Sequence, residues 1–248
     1  MKKFFTLLFI LVAFVTFSQA QIKIGPRGGL NLANISEDLG GTQSFDFEGT
    51  PLELTLKQSN RTTFNLGGFV EYWFTPMIAL QVNILYNQKG FEMDGNLNET
   101  IVYEGITVNV TADAEETVKL TYLSFPILAK VAFGESNIKP YLTAGPEIGF
   151  LLSGKDHQKA TASAEAQGIQ VGPYTSDEEV DIKDELESME FALDFGAGLS
   201  YSFGNIGVFA DFIYSLGITK VNKVELENTN DLKNQNIMIN AGMFFNIK

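Results

Sequence analysis

The fold is decided by one stretch, Ile78-Ala79-Leu80-Gln81-Val82-Asn83-Ile84-Leu85-Tyr86-Asn87. Its even-numbered positions are apolar, and its odd-numbered positions are mostly small or polar. Side chains of a β-strand point alternately to opposite faces, so this stretch predicts a strand with one apolar face and one polar face. A soluble sheet turns the apolar face inward, whereas a membrane barrel turns it toward lipid.

Similar alternation recurs in eight segments: 22–33, 62–74, 77–92, 117–133, 138–152, 189–203, 206–219 and 235–247. Most of them exceed the ~9–11 residues that a tilted strand needs to cross the hydrocarbon of a bilayer. The sequence therefore predicts an all-β fold, a closed antiparallel up-and-down transmembrane β-barrel of eight strands. Glu104-Gly105 is a candidate hairpin turn within 100–111, and two further strands there would make the barrel ten-stranded.

The links between these segments alternate between short and long. Residues 74–77, 134–137 and 204–205 are tight links, whereas the long acidic links are 34–60, 94–115, 153–187 and 220–234. Outer-membrane barrels have short turns on the periplasmic side and longer loops outside. An even number of strands places both termini on one side, so we expect periplasmic termini and extracellular loops.

The N-terminus has the pattern of a cleaved secretory signal peptide. Lys2 and Lys3 are basic, residues 4–17 are apolar apart from threonines, and Ser18-Gln19-Ala20 is a small-x-small cleavage site. The apolar run of about 14 residues is shorter than the ~20 that a transmembrane helix needs. We expect residues 1–20 to be removed and residues 21–248 to form a single barrel domain.

Composition excludes several classes of protein. No later stretch approaches the ~20 unbroken apolar residues of a transmembrane helix, which excludes a helical membrane protein. The net charge is −13, and it becomes −15 once the leader's two lysines are removed, which disfavours nucleic acid as a partner. The sequence has no cysteine, so it has no disulfide framework, thiol nucleophile or thiolate metal site.

Charged residues on the polar faces form the candidate site. Six of them are expected to point into the lumen: Glu71, Lys89, Lys130, Glu147, Asp194 and Asp211. In a narrow lumen such groups must pair or hold water. Eight strands leave an interior just wide enough for side chains, so the pattern favours a satisfied polar plug over an ion path or ligand pocket.

The sequence indicates no catalytic site, metal site or cofactor. His157 is the one histidine and lies in the longest predicted loop, without the Gly-x-Ser-x-Gly motif that marks a hydrolase serine. We therefore expect it to be a solvated surface residue. The acidic run at 176–187 lacks the central glycine and ligand spacing of an EF-hand loop, and such runs are usually solvated.

The sequence of the last strand favours a membrane barrel over a soluble barrel. A soluble eight-stranded barrel with aromatic residues inside and charges outside fits the same two faces. Four positions at the C-terminus, Asn240, Gly242, Phe245 and Ile247, resemble the signal read by the outer-membrane barrel assembly machinery. Aromatic residues also gather next to the short turns, as in an interfacial girdle: Tyr72, Trp73, Phe74, Phe133 and Phe203. Both observations favour the outer membrane.

Five stretches occur in the order and spacing of a known family. They are Gly28-Gly29-Leu30-Asn31-Leu32, Leu85-Tyr86-Asn87-Gln88-Lys89-Gly90, Tyr122-Leu123-Ser124-Phe125-Pro126-Ile127-Leu128, Pro140-Tyr141-Leu142-Thr143-Ala144-Gly145-Pro146 and Phe209-Ala210-Asp211-Phe212-Ile213-Tyr214-Ser215-Leu216-Gly217. Together they resemble the PorT-type outer-membrane β-barrel family of Bacteroidetes over the whole mature chain. The resemblance implies an outer-membrane location and a barrel of eight or slightly more strands. It implies no single function, although the founding member is linked to type IX secretion and gliding.

Four functional interpretations follow. The first is a non-enzymatic barrel with a structural or surface-interaction role through its long acidic loops. The second is an accessory subunit of a secretion or gliding apparatus, and the less favoured ones are a small pore and a barrel enzyme. The expected partners are outer-membrane lipid and lipopolysaccharide, the barrel assembly machinery during biogenesis and, in the second interpretation, secretion-apparatus proteins. Fold alone does not choose among these functions.

Overall fold

The structure, a computed structural model, describes residues 21–47, 50–103, 105–223 and 231–247. Within these ranges the chain is antiparallel β-structure with one 3₁₀ turn at Lys183–Glu185. The predicted leader, residues 1–20, lies outside the described residues. In the part of the chain that the structure describes, no helix has the length and apolar character needed to cross a membrane.

The strands of the described chain vary widely in length. They are β1 (Gln21–Ile35), β2 (Gly41–Phe47), β3 (Thr50–Trp73), β4 (Ile78–Tyr103), β5 (Ile106–Ala132), β6 (Ile138–Ala166), β7 (Ile169–Asp181), β8 (Met189–Phe203), β9 (Ile206–Gly217) and β10 (Asn234–Ile247). The 27 residues of β5 and the 29 of β6 greatly exceed the ~9–11 needed to cross a bilayer.

Eight of the described strands close into a ring. Its order is β1–β3–β4–β5–β6–β8–β9–β10, and β10 pairs with β1 along nearly its whole length. The predicted eight-stranded barrel is therefore confirmed. The described sheet nevertheless has ten strands, because β2 pairs with β3 and β7 pairs with β6 outside the ring. These two strands lie at 41–47 and 169–181, not at 100–111.

The prediction of loops in the long links is wrong for most of their described residues. Strands β4 and β5 continue as one hairpin to the pair Tyr103–Ile106, so the hairpin predicted within 100–111 is present, although Glu104 of its turn lies outside the described residues. Strands β6 and β7 form a second hairpin, which turns through Gln167 and Gly168 at φ of 53° and 78°. The cause is local sequence, because stretches such as 106–111 alternate β-branched residues with polar ones and favour extended backbone.

The two faces of the barrel wall are inverted relative to a soluble protein. In β9 every second residue is buried, and the buried set includes Asp211 and Ser215. The residues between them point outward, and Val208 and Phe212 are 40% and 48% exposed. The apolar band thus surrounds the barrel and the polar residues fill it, as in a barrel placed in lipid.

The predicted aromatic girdle is wrong for Trp73. Tyr72 and Phe74 pack edge to face with ring centroids 4.9 Å apart, and Phe203 is 54% exposed on the outer wall. Trp73 is buried inside the barrel instead, and its indole nitrogen donates a hydrogen bond to Glu71. Neighbouring residues of a strand face opposite sides, so Trp73 cannot share the outer face of Tyr72.

Two buried apolar clusters occupy the ends of the lumen. We call the end with the tight links the short-turn end, and its apolar layer consists of Phe69, Trp73, Ala79, Ala132, Tyr141, Phe209 and Phe244. At the opposite, long-hairpin end, the apolar layer consists of Ile35, Phe91, Val118, Leu120, Tyr122, Leu151, Leu186 and Val221. Leu186 and Asn222 form a β-bridge there, so chain segments outside the ring fold over this opening.

Candidate functional site: the buried polar lumen

The structure places all six of the predicted lumen residues on the inner wall. Each is at most 6% exposed, and the set is Glu71, Lys89, Lys130, Glu147, Asp194 and Asp211. They do not form one group. Glu71, Lys130 and Asp211 belong to a turn-end cluster with Arg27 and Tyr141, whereas Lys89, Glu147 and Asp194 belong to a hairpin-end cluster with Glu190 and Tyr122.

An ion pair between Lys130 and Glu71 anchors the turn-end cluster. The Lys130 Nζ atom lies 2.6 Å from Glu71 Oε1, and the Trp73 indole N–H donates to Glu71 Oε2 at 2.9 Å. The same ammonium lies 3.7 Å from the centroid of the Tyr141 ring. Both carboxylate oxygens thus have donors, and the ammonium gains a cation–π contact in a desolvated setting.

Asp211 organises the other half of the turn-end cluster. Its Oδ1 atom accepts from Arg27 at 3.1 Å and from Asn240 at 2.8 Å, and its Oδ2 atom accepts from the Tyr141 hydroxyl at 3.1 Å. Arg27 also donates to Asn83 at 2.9 Å. A buried carboxylate is tolerated only when its lone pairs are satisfied in this way.

Glycine makes room for this network. A Cβ atom on Gly198 would lie 2.5 Å from Cζ of Tyr141, far inside normal contact. A Cβ atom on Gly242 would lie 2.6 Å from the Phe209 ring. At these two positions a large ring enters the narrow lumen because the residue it packs against has no side chain.

A row of asparagines lies between the two clusters. Asn31 donates to Asn87 at 2.8 Å, and Asn65 donates to Asn31 at 2.7 Å and to Asn240 at 2.8 Å. Amides carry both donors and acceptors, so they can link side chains of four strands without net charge.

Lys89 is the centre of the hairpin-end cluster. Its ammonium lies 2.9 Å from Glu147 Oε1 and 3.0 Å from Glu190 Oε2, and Ser124 donates to the same Glu147 oxygen at 3.0 Å. The ammonium also lies 5.4 Å from the Tyr122 ring centroid. All three charged side chains are at most 3% exposed.

The hairpin-end cluster has more acceptors than donors among the described residues. Neither oxygen of Asp194 has a hydrogen-bond partner there, and neither has the second oxygen of Glu147 or Glu190. Ser215 and Glu147 lie near Asp194 but make no hydrogen bond of normal geometry with it. The cluster therefore brings three buried carboxylates together with one ammonium.

The lumen is packed along the described length of the barrel. Asn83, Asn87 and Glu147 are inaccessible to solvent, and Lys89 is 1% exposed. An apolar layer covers the polar groups at each end. This arrangement corresponds to a plug of side chains, as expected for eight strands.

Sequence reasoning missed Arg27, Glu190 and Tyr141. The alternation contained the signal for all three. Arg27 shares its odd-numbered face of β1 with buried Asn31, and Tyr141 shares the odd-numbered face of β6 with buried Glu147. Glu190 lies on the even-numbered face of β8 with Asp194.

Outside the ring, the outward face of β5, β6 and β7 carries paired charges. Glu179 accepts from Lys119 at 2.8 Å and from Lys155 at 2.6 Å. These two hydrogen bonds lower the pKa of Glu179 from 4.5 to about 2. His157 lies beside them on β6, not in a loop as predicted, with Nε2 2.8 Å from Asp177.

The inward face of the same hairpins contains a shallow groove. Its cavity has a volume of about 190 Å³. Apolar residues such as Leu56 and Met93 form part of its lining, together with Glu116 and Glu178. Burial raises the pKa of Glu116, and the charge of Asp156 adds to the effect.

The four residues of the predicted assembly signal lie on β10 and divide between its faces. Asn240 is buried and belongs to the lumen network, and Gly242 accommodates Phe209. Phe245 and Ile247 point outward, at 43% and 48% exposed.

The solved structures that resemble this chain match it weakly, with TM-scores below 0.5. A search of curated proteins finds no match. Solved structures with a similar fold include neisserial surface protein A (NspA), with 15% identity, a TM-score of 0.42 and 92% of this chain and 99% of that chain covered. They also include the N-terminal barrel of OprF from Pseudomonas aeruginosa, with 15% identity, a TM-score of 0.33 and 92% of this chain and 100% of that chain covered. A third is the protease OmpT from Escherichia coli, with 11% identity, a TM-score of 0.29 and 92% of this chain and 97% of that chain covered. At these scores none of them bears on activity.

A family model assigns the chain more firmly. The model described as "Outer membrane protein beta-barrel domain" matches residues 17–221, which is most of the sequence. The closed ring, the apolar outer wall and the charged lumen are what such a domain requires. The chain belongs to the outer membrane protein β-barrel domain family.

Proposed function

We propose that this chain is a closed, non-enzymatic outer-membrane barrel that presents its long hairpins at the cell surface for interaction with a partner. The observation that carries the proposal is the length of β5 and β6 beyond the ring, combined with a lumen filled by side chains. The 29 residues of β6 span about 96 Å at ~3.3 Å per residue, whereas crossing the hydrocarbon uses only ~9–11 residues.

The hairpins form a sheet suited to recognition. Strands β2 to β7 are neighbours in one sheet, and β7 pairs only with β6 among the described strands. All thirteen residues of β7 are exposed. A free strand edge offers backbone donors and acceptors to another chain, and the charged side chains of this edge discourage unspecific pairing.

The packed lumen argues against transport. Charged groups that are no more than 1% exposed leave no continuous water path beside them. In planar bilayers we expect the purified protein to produce no discrete single-channel currents. Stable unitary conductance that disappears when the hairpins are removed would contradict the proposal.

The proposed orientation places the long-hairpin end outside the cell and the short-turn end with both termini in the periplasm. Because the sequence has no cysteine, single cysteines can test this directly. On intact cells a membrane-impermeant maleimide should label Thr107→Cys at the hairpin tip. The matched variant Asn137→Cys, in a short turn, should react only after lysis; the reverse result refutes the orientation.

The surface role requires contacts made by the hairpins. A photo-crosslinking residue at Tyr174, which is 69% exposed on β7, should form adducts with a distinct surface molecule on intact cells. The control position is Phe203, which is 54% exposed on the outer wall near a short turn. Adducts from Phe203 alone would assign the interaction to the barrel wall and remove the surface role.

A role as an accessory subunit of a secretion or gliding apparatus is the second candidate. It rests on the resemblance of the five stretches to the PorT-type family, whose founding member is linked to type IX secretion and gliding. Deletion of the gene should then reduce secretion, and the protein should co-purify with apparatus subunits after gentle extraction. Normal secretion in the deletion strain excludes this candidate.

Biogenesis and lipid contacts belong to the same proposal. Phe245 and Ile247 point away from the lumen, where the assembly machinery can reach them, and the apolar wall provides the contact with lipid and lipopolysaccharide. Replacing both residues by alanine should leave more unfolded chain in the periplasm. Unchanged assembly in that variant, measured by heat-modifiable migration in detergent gels, rules out the signal.

A further inference from the structure

The opening at the short-turn end contains a small pocket that none of the preceding functions uses. Its cavity has a volume of about 160 Å³, and we call it the mouth pocket. The lining residues come from the start of β1, the end of β3, the following turn and the start of β6: Gln21, Lys23, Trp73, Thr75, Pro76 and Lys139.

The mouth pocket is cationic in a chain whose net charge is −13. Lys23 and Lys139 line it, and the charge of Lys130 also reaches Lys23 from the turn-end cluster. Glu71 is the carboxylate that acts on Lys23, but its two oxygens already accept from Lys130 and Trp73. The local excess is therefore positive, opposite in sign to the protein as a whole.

Lys23 contacts two aromatic rings but has no carboxylate counter-ion among the described residues. Its Nζ atom lies 4.4 Å from the Trp73 ring centroid and 4.5 Å from that of Phe244. Among the described residues it forms no ion pair with a carboxylate, unlike Lys89 and Lys130. Two ring faces fix the position of the ammonium and leave its N–H donors without a charged acceptor.

From this geometry we propose that the mouth pocket binds a small water-soluble oxyanion, a phosphate or carboxylate group, through Lys23 and Lys139. The pocket volume corresponds to about five water molecules at ~30 Å³ each, which suits one such group. Paired N–H donors on a phosphate or carboxylate give strong, charge-assisted hydrogen bonds.

The source of the anion follows from the direction in which the pocket opens. Lys23, Trp73 and Lys139 all lie on the inward-facing, odd-numbered positions of their strands, so the pocket opens along the barrel axis and not toward the lipid. This favours a solute over a phospholipid headgroup. The proposed orientation of the barrel is needed only to name the compartment of this solute, which is then the periplasm.

Trp73 is the one tryptophan of the sequence and lines the pocket, so its fluorescence reports on occupancy. The probe is inorganic phosphate, titrated at constant ionic strength into the full chain in phosphate-free maltoside micelles. We expect a saturable change in Trp73 emission that chloride does not produce. Acetate, as a carboxylate probe, should compete with phosphate.

Lysine variants localise the binding. Lys139→Gln should weaken phosphate binding at least about tenfold, the usual scale for a lost charge-assisted hydrogen bond. Lys23→Gln should do the same, with calorimetry as a second readout because this change also alters the surroundings of Trp73. The matched control is Lys57→Gln, an exposed lysine at the other end of β3, which should bind within about twofold of the original protein.

Three results overturn the inference. They are an equal response to chloride, unchanged binding in folded Lys139→Gln, and a response to phospholipid in mixed micelles but not to phosphate. Heat-modifiable migration verifies that each variant is folded, and Lys139→Gln decides the matter alone if Lys23→Gln does not fold. Because the titration uses purified protein, its failure leaves the surface proposal intact, and failed surface cross-linking leaves the pocket proposal intact.

Discussion

Removal of the ammonium at position 89 is the most direct test of the lumen network. In Lys89→Met the side chain keeps most of its length and apolar volume, so the main change is the loss of one charge. That charge lies 2.9 Å from Glu147 and 3.0 Å from Glu190, and all three side chains are at most 3% exposed. The variant leaves two buried carboxylates without their counter-charge, next to Asp194, which has no hydrogen-bond partner among the described residues.

The expected loss is large because both partners stay in the barrel. Removing one member of a buried ion pair costs about 3–5 kcal/mol. Two carboxylates lose the same donor here, so we expect the upper part of that range, about 5 kcal/mol. With a guanidinium slope of about 4 kcal/mol per molar, the unfolding midpoint should fall by about 1 M.

The assay is guanidinium unfolding in detergent micelles, followed by the emission of Trp73. Lys57→Met, at an exposed position on β3, is the matched control and should change the free energy of unfolding by less than about 0.5 kcal/mol. Adding Glu147→Gln to Lys89→Met should restore part of the lost stability, because one unpaired charge disappears. A Lys89→Met midpoint equal to that of the control refutes the reasoning.

Two further variants test other parts of the structure. Gly198→Ala places a Cβ atom 2.5 Å from the Tyr141 ring, and overpacking of this kind should destabilise the barrel by about 1–3 kcal/mol; the transition temperature in heat-modifiable gels measures it, and an unchanged temperature contradicts the packing argument. Hydrogen bonds from Lys119 and Lys155 lower the pKa of Glu179 to about 2, so the stabilisation is complete above the usual pKa of 4.5 and is lost as pH falls toward 2. Hydrogen exchange of β7 should therefore differ between Glu179→Gln and the original chain at pH 6 but not near pH 2, and equal exchange at pH 6 would show that the pairs do not stabilise the hairpin.

Alternation along the sequence was sufficient to predict the ring. Each membrane-crossing strand has a lipid-facing side that requires apolar residues and a lumen-facing side that tolerates polar ones. Apolar and polar residues therefore alternate with a period of two in the sequence. Beyond the ring this signal is incomplete. Residues 106–111 still alternate, and residues 160–166 of β6 alternate alanine with polar residues, but residues 153–159 have polar side chains on both faces, which makes a strand in water look like a loop.

The pairing of the lumen charges was not predictable from sequence. Lys89 meets Glu190 across 101 positions, and Arg27 meets Asp211 across 184. Which inward-facing residues meet depends on strand order and stagger around the closed ring, and alternation sets only the face. The misplacement of Trp73 was avoidable, because its position next to Tyr72 already assigned it to the inner face.

The charged lumen also explains how a barrel with a uniformly apolar outer wall selects one register. A shift of one residue between neighbouring strands exchanges the two faces of the shifted strand. For β4 that shift would turn Lys89 toward lipid, and for β5 it would do the same to Lys130. A lysine on the lipid face costs between about 0–1 kcal/mol near an interface and about 2–4 kcal/mol at the bilayer midplane, and its carboxylate partners would lose their counter-charge as well. An apolar filling of the lumen would impose no such penalty, so the buried ion pairs act against misregistered barrels.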